Sequence, residues 1–203
     1  MNKRYNIIFL DIDGVLNGYN FWNVLGWDIV CRINDKKIRW WYRYLTDPCG
    51  IHERKVRRLS RIVRSCDAKV VMSSSWRTVW YKQRYEHKSG DFKKLNDLFI
   101  KYNIDVIDIT PRLYNKGRDR EILQWLAQNE DKVMWAIRNF IILDDENSFM
   151  EAFHNDVRFI QTSSVQKGVM IQGHWAENTG LSRKHVKKAI KVLTSIGDMR
   201  EVT

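Results

Sequence analysis

Proline is nearly missing from this chain, with two residues in 203, and there is no Pro-rich or Gly/Ser-rich stretch of the kind that separates domains. That absence, with the length, implies one domain over residues 1–203 rather than two. Cysteine is equally sparse. Cys31, Cys49 and Cys66 are odd in number and show no CxxC spacing, which excludes a disulfide framework and a structural zinc site and fits a reducing, cytoplasmic setting. Long apolar runs are lacking too: the run Ile7–Leu10 is cut short by Asp11, so neither a signal-peptide core nor a membrane span is expected. Finally, acid is scarce relative to base. The chain has 24 Asp+Glu against 35 Lys+Arg, a net charge of +11, which favours phosphates or polyanions as partners or else serves solubility alone.

What is present is the pattern of a folded α/β protein. Hydrophobic residues make up 44% and charged residues 29%, which argues against wholesale disorder. Residues 6–10 (NIIFL) are apolar without alternation, as in a central strand covered on both faces. His52–Ser65 carries Val56, Leu59, Ile62 and Val63 at helical spacing, and Lys69–Met72 reads as the next strand. The alternation continues with a helix over Phe92–Tyr102, a strand at Val106–Ile109, a helix over Asp119–Gln128 and a strand at Phe140–Leu143. A brief helix at Phe149–Phe153, a strand at Arg158–Gln161 and a helix over Ser182–Leu193, with Ser182 as N-cap, complete the reading. Strands alternating with helices imply crossover connections, hence a doubly wound parallel sheet.

In such a sheet ligands bind beyond the carboxyl ends of the strands. Three predicted strands end in polar or acidic residues: DIDG after NIIFL, SSSWR after KVVM, and DDEN after FIIL. Taken singly, DIDG is a turn with a capping Asp, DD a solvated loop, and SSS a linker. Taken in order at strand ends, they bring Asp11, Asp13, Asp144 and Asp145 to one edge. Four carboxylates there call for a cation, and an all-oxygen set suits Mg²⁺ rather than zinc.

These motifs resemble those of the haloacid dehalogenase (HAD) superfamily of phosphohydrolases. Asp11-Ile12-Asp13-Gly14-Val15-Leu16-Asn17 matches its first motif, Ser73 in VVMSSSWR its second, and Asp144-Asp145 in IILDDEN its fourth, in the right order over about residues 5 to 162. SSSWR followed by a basic residue and by EIxxWL (Glu121 to Leu126) is similar to a small HAD branch of bacterial and phage proteins and nucleic-acid repair modules. For the third motif, a basic residue near a helix start, Lys116, Arg118 and Arg120 all lie just before or within the helix; Arg118, three residues before Glu121, is favoured and Lys116 is second.

The resemblance implies a Rossmann-like core and a Mg²⁺-dependent phosphatase in which Asp11 attacks phosphorus to form an aspartyl-phosphate. It further implies that Asp13 serves as general acid and base, that Ser73 and Arg118 hold the phosphate, and that Asp11, Asp13 through its carbonyl, Asp144 and Asp145 hold the metal. Gly14, Ser74, Lys116, Trp41 and Arg77 are the expected substrate contacts. A response-regulator receiver has a similar set of groups, but its acidic pair comes first in the chain, whereas here it comes last.

Residues 18–51 read as a small cap or flap after the first strand, with Trp27, Trp40, Trp41 and Tyr42 among Arg32, Lys36, Lys37, Arg39 and Arg43. Such a mixture either stacks bases and holds phosphates or packs a lid on the core. The segment WRTVWYKQRYEHK after Ser75 is aromatic and basic again. With the +11 charge, these favour a nucleotide or a nucleic-acid terminal phosphate as substrate. The alternatives are a small-metabolite phosphatase or a HAD-shaped nucleic-acid-binding protein without turnover.

Overall fold

The strand predicted at NIIFL is the middle of the molecule. In the computed structural model, which describes residues 4–17, 50–78, 80, 90–129, 136–162, 170–171, 174–175 and 180–195, it runs as β1, Arg4–Leu10. It is flanked by β2 (Ala68–Met72) and β4 (Ala136–Asp144), with β3 (Val106–Ile109) beyond β2 and β5 (Phe159–Gln161) beyond β4. All four pairings are parallel, and the order β3-β2-β1-β4-β5 reverses direction at β1, which makes the β1/β4 boundary the topological switch point.

Alternate side chains of β1 serve opposite faces, as the strand pleat requires. Ile8 and Leu10 pack with Val56, Leu59 and Ile62 of α1 (Glu53–Cys66), Leu95 and Phe99 of α2 (Gly90–Lys101) and Val186, Ala189 and Leu193 of the C-terminal helix Arg183–Thr194. Ile7 and Phe9 pack on the other face with Ile122 and Trp125 of α3 (Arg118–Asn129), Phe140 and Phe153. Phe9 meets Trp125 edge-on at 5.3 Å between ring centroids, an arrangement that adds about 0.5–1.5 kcal/mol to simple burial. The helix Arg183–Thr194 is α4. Its first turn is closed by a reciprocal cap: His185 N–H donates to Ser182 Oγ (3.3 Å) while Ser182 N–H donates to His185 Nδ1 (3.0 Å).

Several boundaries differ from the sequence reading. The brief helix at 149–153 is a 3-10 turn at Glu151–Phe153. The strand expected from Arg158 starts one residue later, because Arg158 folds back to donate to Asp156 through Nε (2.9 Å) and lays its guanidinium over the Phe140 ring. β4 is longer than Phe140–Leu143 because its pairing with β1 continues through an irregularity at Tyr5/Asn6 back to Ala136. A two-stranded antiparallel pair, β6 (Met170–Ile171) with β7 (His174–Trp175), had no signal in the pattern. Cys66 is a buried free thiol. The proposed cap at 18–51 lies almost wholly outside the described residues, and Trp41 with it. Among the described residues no helix is long and apolar enough to cross a membrane.

Candidate active site

Register creates the site. Leu10 is paired with Met72 on one side and Leu143 on the other, so the residues that follow, Asp11, Ser73 and Asp144, emerge together at one edge of the sheet. The ladder extends just past the strands: Asp11 N–H donates to Leu143 O (2.9 Å) and Ser73 N–H to Leu10 O (2.8 Å). Thr162, at the end of β5, closes the edge by donating its N–H to Asp144 O (2.9 Å) and its hydroxyl to Gly14 O (2.9 Å). Gly14 sits at φ 70°, a left-handed conformation that costs a glycine little and lets the chain turn sharply after Asp13.

Asp11, Asp144 and Asp145 each offer a carboxylate oxygen within 4.8 Å of the others. Asp11 and Asp144 are buried, at 4% and 1% exposure, which is an expensive place for charge. Burial raises the Asp11 pKa above its ordinary value, against the opposing pull of Arg118. Burial and then repulsion from Asp11 push Asp144 up to about 7 and Asp145 up to about 6. Arg118, in the first turn of α3, sends Nη1 between the two buried acids, 3.0 Å from Asp11 Oδ2 and in hydrogen-bond contact with Asp144 Oδ2. Burial works against its charge, but Asp11 and Asp144 outweigh burial and hold the guanidinium protonated more firmly than usual.

Arg118 is itself fixed by its neighbour. The buried Asp119 receives Arg120 N–H (2.7 Å) and Ala152 N–H (3.0 Å), tying the start of α3 to the 3-10 turn that follows β4. Three carboxylates against one guanidinium leave a formal excess of two negative charges, which a divalent cation matches, and every donor is a hard oxygen. Ser73 Oγ is buried without a hydrogen-bond partner. A buried hydroxyl of that kind costs stability unless a ligand oxygen completes it. Ser74, its neighbour, hydrogen-bonds to Asp11 and accepts from Trp76 N–H (3.3 Å).

Asp13 is exposed and stands apart from the three-carboxylate cluster. Its carboxylate is held from two sides: Asn17 Nδ2 donates to Oδ1 (2.7 Å) and Trp76 Nε1 donates to Oδ2 (2.9 Å). Asn17 Oδ1 also accepts from Gly14 N–H (2.7 Å), so one carboxamide stitches the turn. The turn is anchored in its turn by Lys55, whose Nζ donates to Asn17 O (2.7 Å), and by Leu181 N–H, which donates to Val15 O (2.8 Å).

Residues 7–169, about four-fifths of the chain, match the family model of the HAD domain in Swiss Army Knife RNA repair proteins. The chain belongs to this family. No curated protein and no solved structure matches it. The five-stranded parallel sheet is the Rossmann-like core of a HAD domain, and membership supports a phosphatase-like function tied to nucleic-acid repair.

Beside the acidic cluster of this HAD domain lies a cleft of about 240 Å³ whose lining includes Arg77, Arg112, Lys116, Arg118 and Phe149. Lys116 thus borders the cleft, while Arg118 touches the carboxylates. Arg77 reaches the cleft wall but is engaged within the protein, donating to Glu121 Oε1 (2.7 Å) and Thr110 Oγ1 (3.1 Å). The buried Glu121 also accepts from Leu113 N–H (3.1 Å), so it fastens the segments after β2 and β3 to α3. Phe149 is 57% exposed on the cleft.

Sequence reasoning missed Asn17, Trp76, Arg112 and Phe149 as site residues. Asn17 closed the first motif and Trp76 opened the aromatic segment after SSS, so both were adjacent to the signal. Arg112 and Phe149 occupy loops with no motif to mark them.

Proposed function

We propose that the protein is a Mg²⁺-dependent phosphomonoesterase that acts through an aspartyl-phosphate on Asp11, with a nucleotide or nucleic-acid terminal phosphate as substrate. The observation that carries this reading is the Asp11–Asp144–Asp145 cluster with Arg118 wedged into it and the unpartnered Ser73 hydroxyl alongside. Mg²⁺ would be held by Asp11, Asp144 and Asp145, with the Asp13 carbonyl as a further ligand, and would supply the positive charge that lets a carboxylate approach a phosphoryl group.

Asp11 forms a bond to phosphorus as the bond from phosphorus to the leaving oxygen breaks. Asp13, exposed and gripped by Asn17 and Trp76, gives its proton to that leaving oxygen. Its carboxylate then takes a proton from the water that attacks phosphorus, which frees Asp11 and releases inorganic phosphate. Arg118 and Ser73 donate to the phosphoryl oxygens, where charge-assisted hydrogen bonds count most.

The cleft favours a substrate that carries both phosphates and bases. Arg112 and Lys116 provide cations for further phosphates, and the exposed Phe149 offers a ring on which a base stacks. Arg77 lines the cleft wall, Ser74 holds Asp11 by a hydrogen bond beside the phosphate, and Trp41 is a second stacking group from the 18–51 cap.

Turnover of a panel containing a small chromogenic phosphate, mononucleotides and 3′- and 5′-phosphorylated oligonucleotides, with and without Mg²⁺, tests the whole reading. Wild-type protein should hydrolyse nucleotide or oligonucleotide ends, EDTA should stop it reversibly, and Asp11→Asn should lose at least about a thousandfold in turnover while staying folded. Near-normal turnover by Asp11→Asn removes the covalent mechanism, and equal kcat/KM across the panel removes the nucleic-acid preference.

A further inference from the structure

The positive charge of the chain is not spread evenly. α1 and α4 carry eleven Lys and Arg side chains against the single carboxylate of Glu53, a net +10 where the whole chain has +11. The two helices pack side by side on one face of the sheet, and a groove of about 460 Å³ runs between them. Arg54, Arg57, Arg58, Arg61 and Arg64 line it from α1, at spacings of three and four that put them on one side of the helix. Arg183 and Lys187 line it from α4, above a floor that includes Val186 and Ile190.

Little within the protein neutralises this row. Arg61 and Arg64 make no ion pair among the described residues. Glu53 is engaged elsewhere, accepting from Lys101 Nζ (2.8 Å) and the Tyr102 hydroxyl (2.5 Å), and stands 4.0 Å from Arg57. Arg58 donates to Leu181 O, and burial, with the nearby charges of Arg54 and Arg183, makes its protonated form harder to hold. A structural stripe of arginines normally sits among carboxylates; one that crowds like charge in a groove is built for an anion from outside.

The groove also has a direction. Both helices begin at the loop that carries Asp13: His52 N–H donates to Leu16 O (3.1 Å) at the head of α1, and Leu181 N–H donates to Val15 O (2.8 Å) at the head of α4. From that catalytic edge the arginines descend along α1 from residue 54 to residue 64, about 15 Å at the helical rise. That length serves about three or four phosphates of an extended single strand, whose spacing exceeds the roughly 3.4 Å axial rise of a duplex strand.

We propose that the groove between α1 and α4 binds the phosphodiester backbone of a single nucleic-acid strand whose end reaches the catalytic edge. This rests on the nucleic-acid reading for its purpose, but not for its test. The groove contacts backbone and not bases, so it contributes affinity for strand length without sequence preference.

A labelled single-stranded oligonucleotide with hydroxyl ends offers the catalytic centre nothing to hydrolyse, so its anisotropy with the whole protein reads binding without turnover, and the groove's share is the part that groove variants remove. Four phosphate contacts predict a slope of log K against log salt of about −3, hence a loss of about 50-fold in affinity for a fourfold rise in salt. Arg61→Glu with Arg64→Glu should weaken binding by more than about tenfold and flatten the slope by about 1 to 1.5. Arg61→Gln with Arg64→Gln should do the same to a smaller extent should the reversal disturb folding. Reversal at Arg120 and Arg138, which lie off the groove, should change affinity much less.

Undiminished binding by both groove variants overturns the proposal, as does equal competition by polyglutamate, which would point to an acidic protein partner instead. Groove-dependent binding in a protein that hydrolyses no oligonucleotide end leaves the groove standing and removes the proposed substrate. Conversely, preferential turnover of oligonucleotide ends that the groove variants retain keeps the substrate and removes the groove.

Discussion

Replacing Asp144 by Asn should make the metal-free protein more stable, although it removes a residue from the proposed centre. Asp144 is 1% exposed, and burial with the neighbouring Asp11 raises its pKa from the ordinary 3.8 to about 7. At about 1.4 kcal/mol for each pH unit, the ionised carboxylate costs the fold up to about 4 kcal/mol above pH 7. That raised pKa already nets the attraction of Arg118 against burial and Asp11, so the substitution relieves the cost while Arg118 keeps Asp11 at 3.0 Å. The expectation is a gain of a few kcal/mol at pH 8, read as a Tm raised by several degrees.

Thermal unfolding in EDTA at pH 8 measures it. The stability of the metal-free wild type should also depend on pH. The folded pKa lies above the unfolded one, so the folded state holds the extra proton. Stability is therefore gained as pH falls through about 7 and about 6 and is lost as pH rises through them. The variant should show a weaker rise on acidification. Added Mg²⁺ should invert the ranking, because the wild type gains binding free energy that the Asp144→Asn protein forgoes. A variant less stable than wild type in EDTA at pH 8, or one with undiminished Mg²⁺ affinity by calorimetry, would refute the reasoning.

Three further outcomes are expected. Trp76→Phe removes one of the two donors to Asp13, so kcat should fall by about 3–10-fold with KM little changed, and the pH profile of kcat should move with it; an unmoved profile would exclude a positioning role. Ser73→Ala deletes a buried hydroxyl that has no partner, so stability by urea titration should hold or rise slightly while kcat/KM falls by about tenfold or more, and a stability loss above about 2 kcal/mol would mean that the hydroxyl is structural. Gly180→Ala should destabilise by about 1–3 kcal/mol, since the residue has φ 59° and a Cβ would come within 2.6 Å of Lys55 Nζ and 2.7 Å of Val15 O; an unchanged Tm would show that the loop yields easily.

The fold was legible wherever apolar pattern and strand length agreed. NIIFL, KVVM and FIIL are short, apolar and unbroken, which suits a doubly covered parallel strand, and the residues straight after them gather at one edge because parallel register aligns strand ends. Arg118, which opens α3, contacts Asp11 and Asp144, whereas Lys116 precedes the helix and borders the cleft. What stayed hidden depends on side-chain direction. Nothing in a one-dimensional pattern says that the Trp76 indole turns back to Asp13, or that Glu121 joins Arg77 and Leu113 rather than solvent. The α1 arginines were visible as charge but not as a groove, because α4, which supplies the other wall, lies more than a hundred residues away.

The loop from Asp13 to Asn17 carries a consequence for how the molecule comes into being. Asp13 leaves the ribosome well ahead of the groups that fasten its loop: Lys55 first, then Trp76, then Thr162 on Gly14 and Leu181 on Val15. Contacts of such long separation close only after intervening strands have found their order. Until residue 181 is free to dock, the nascent chain holds its acidic residues in an unfinished cradle, so chemical competence trails far behind the synthesis of the residues that carry it.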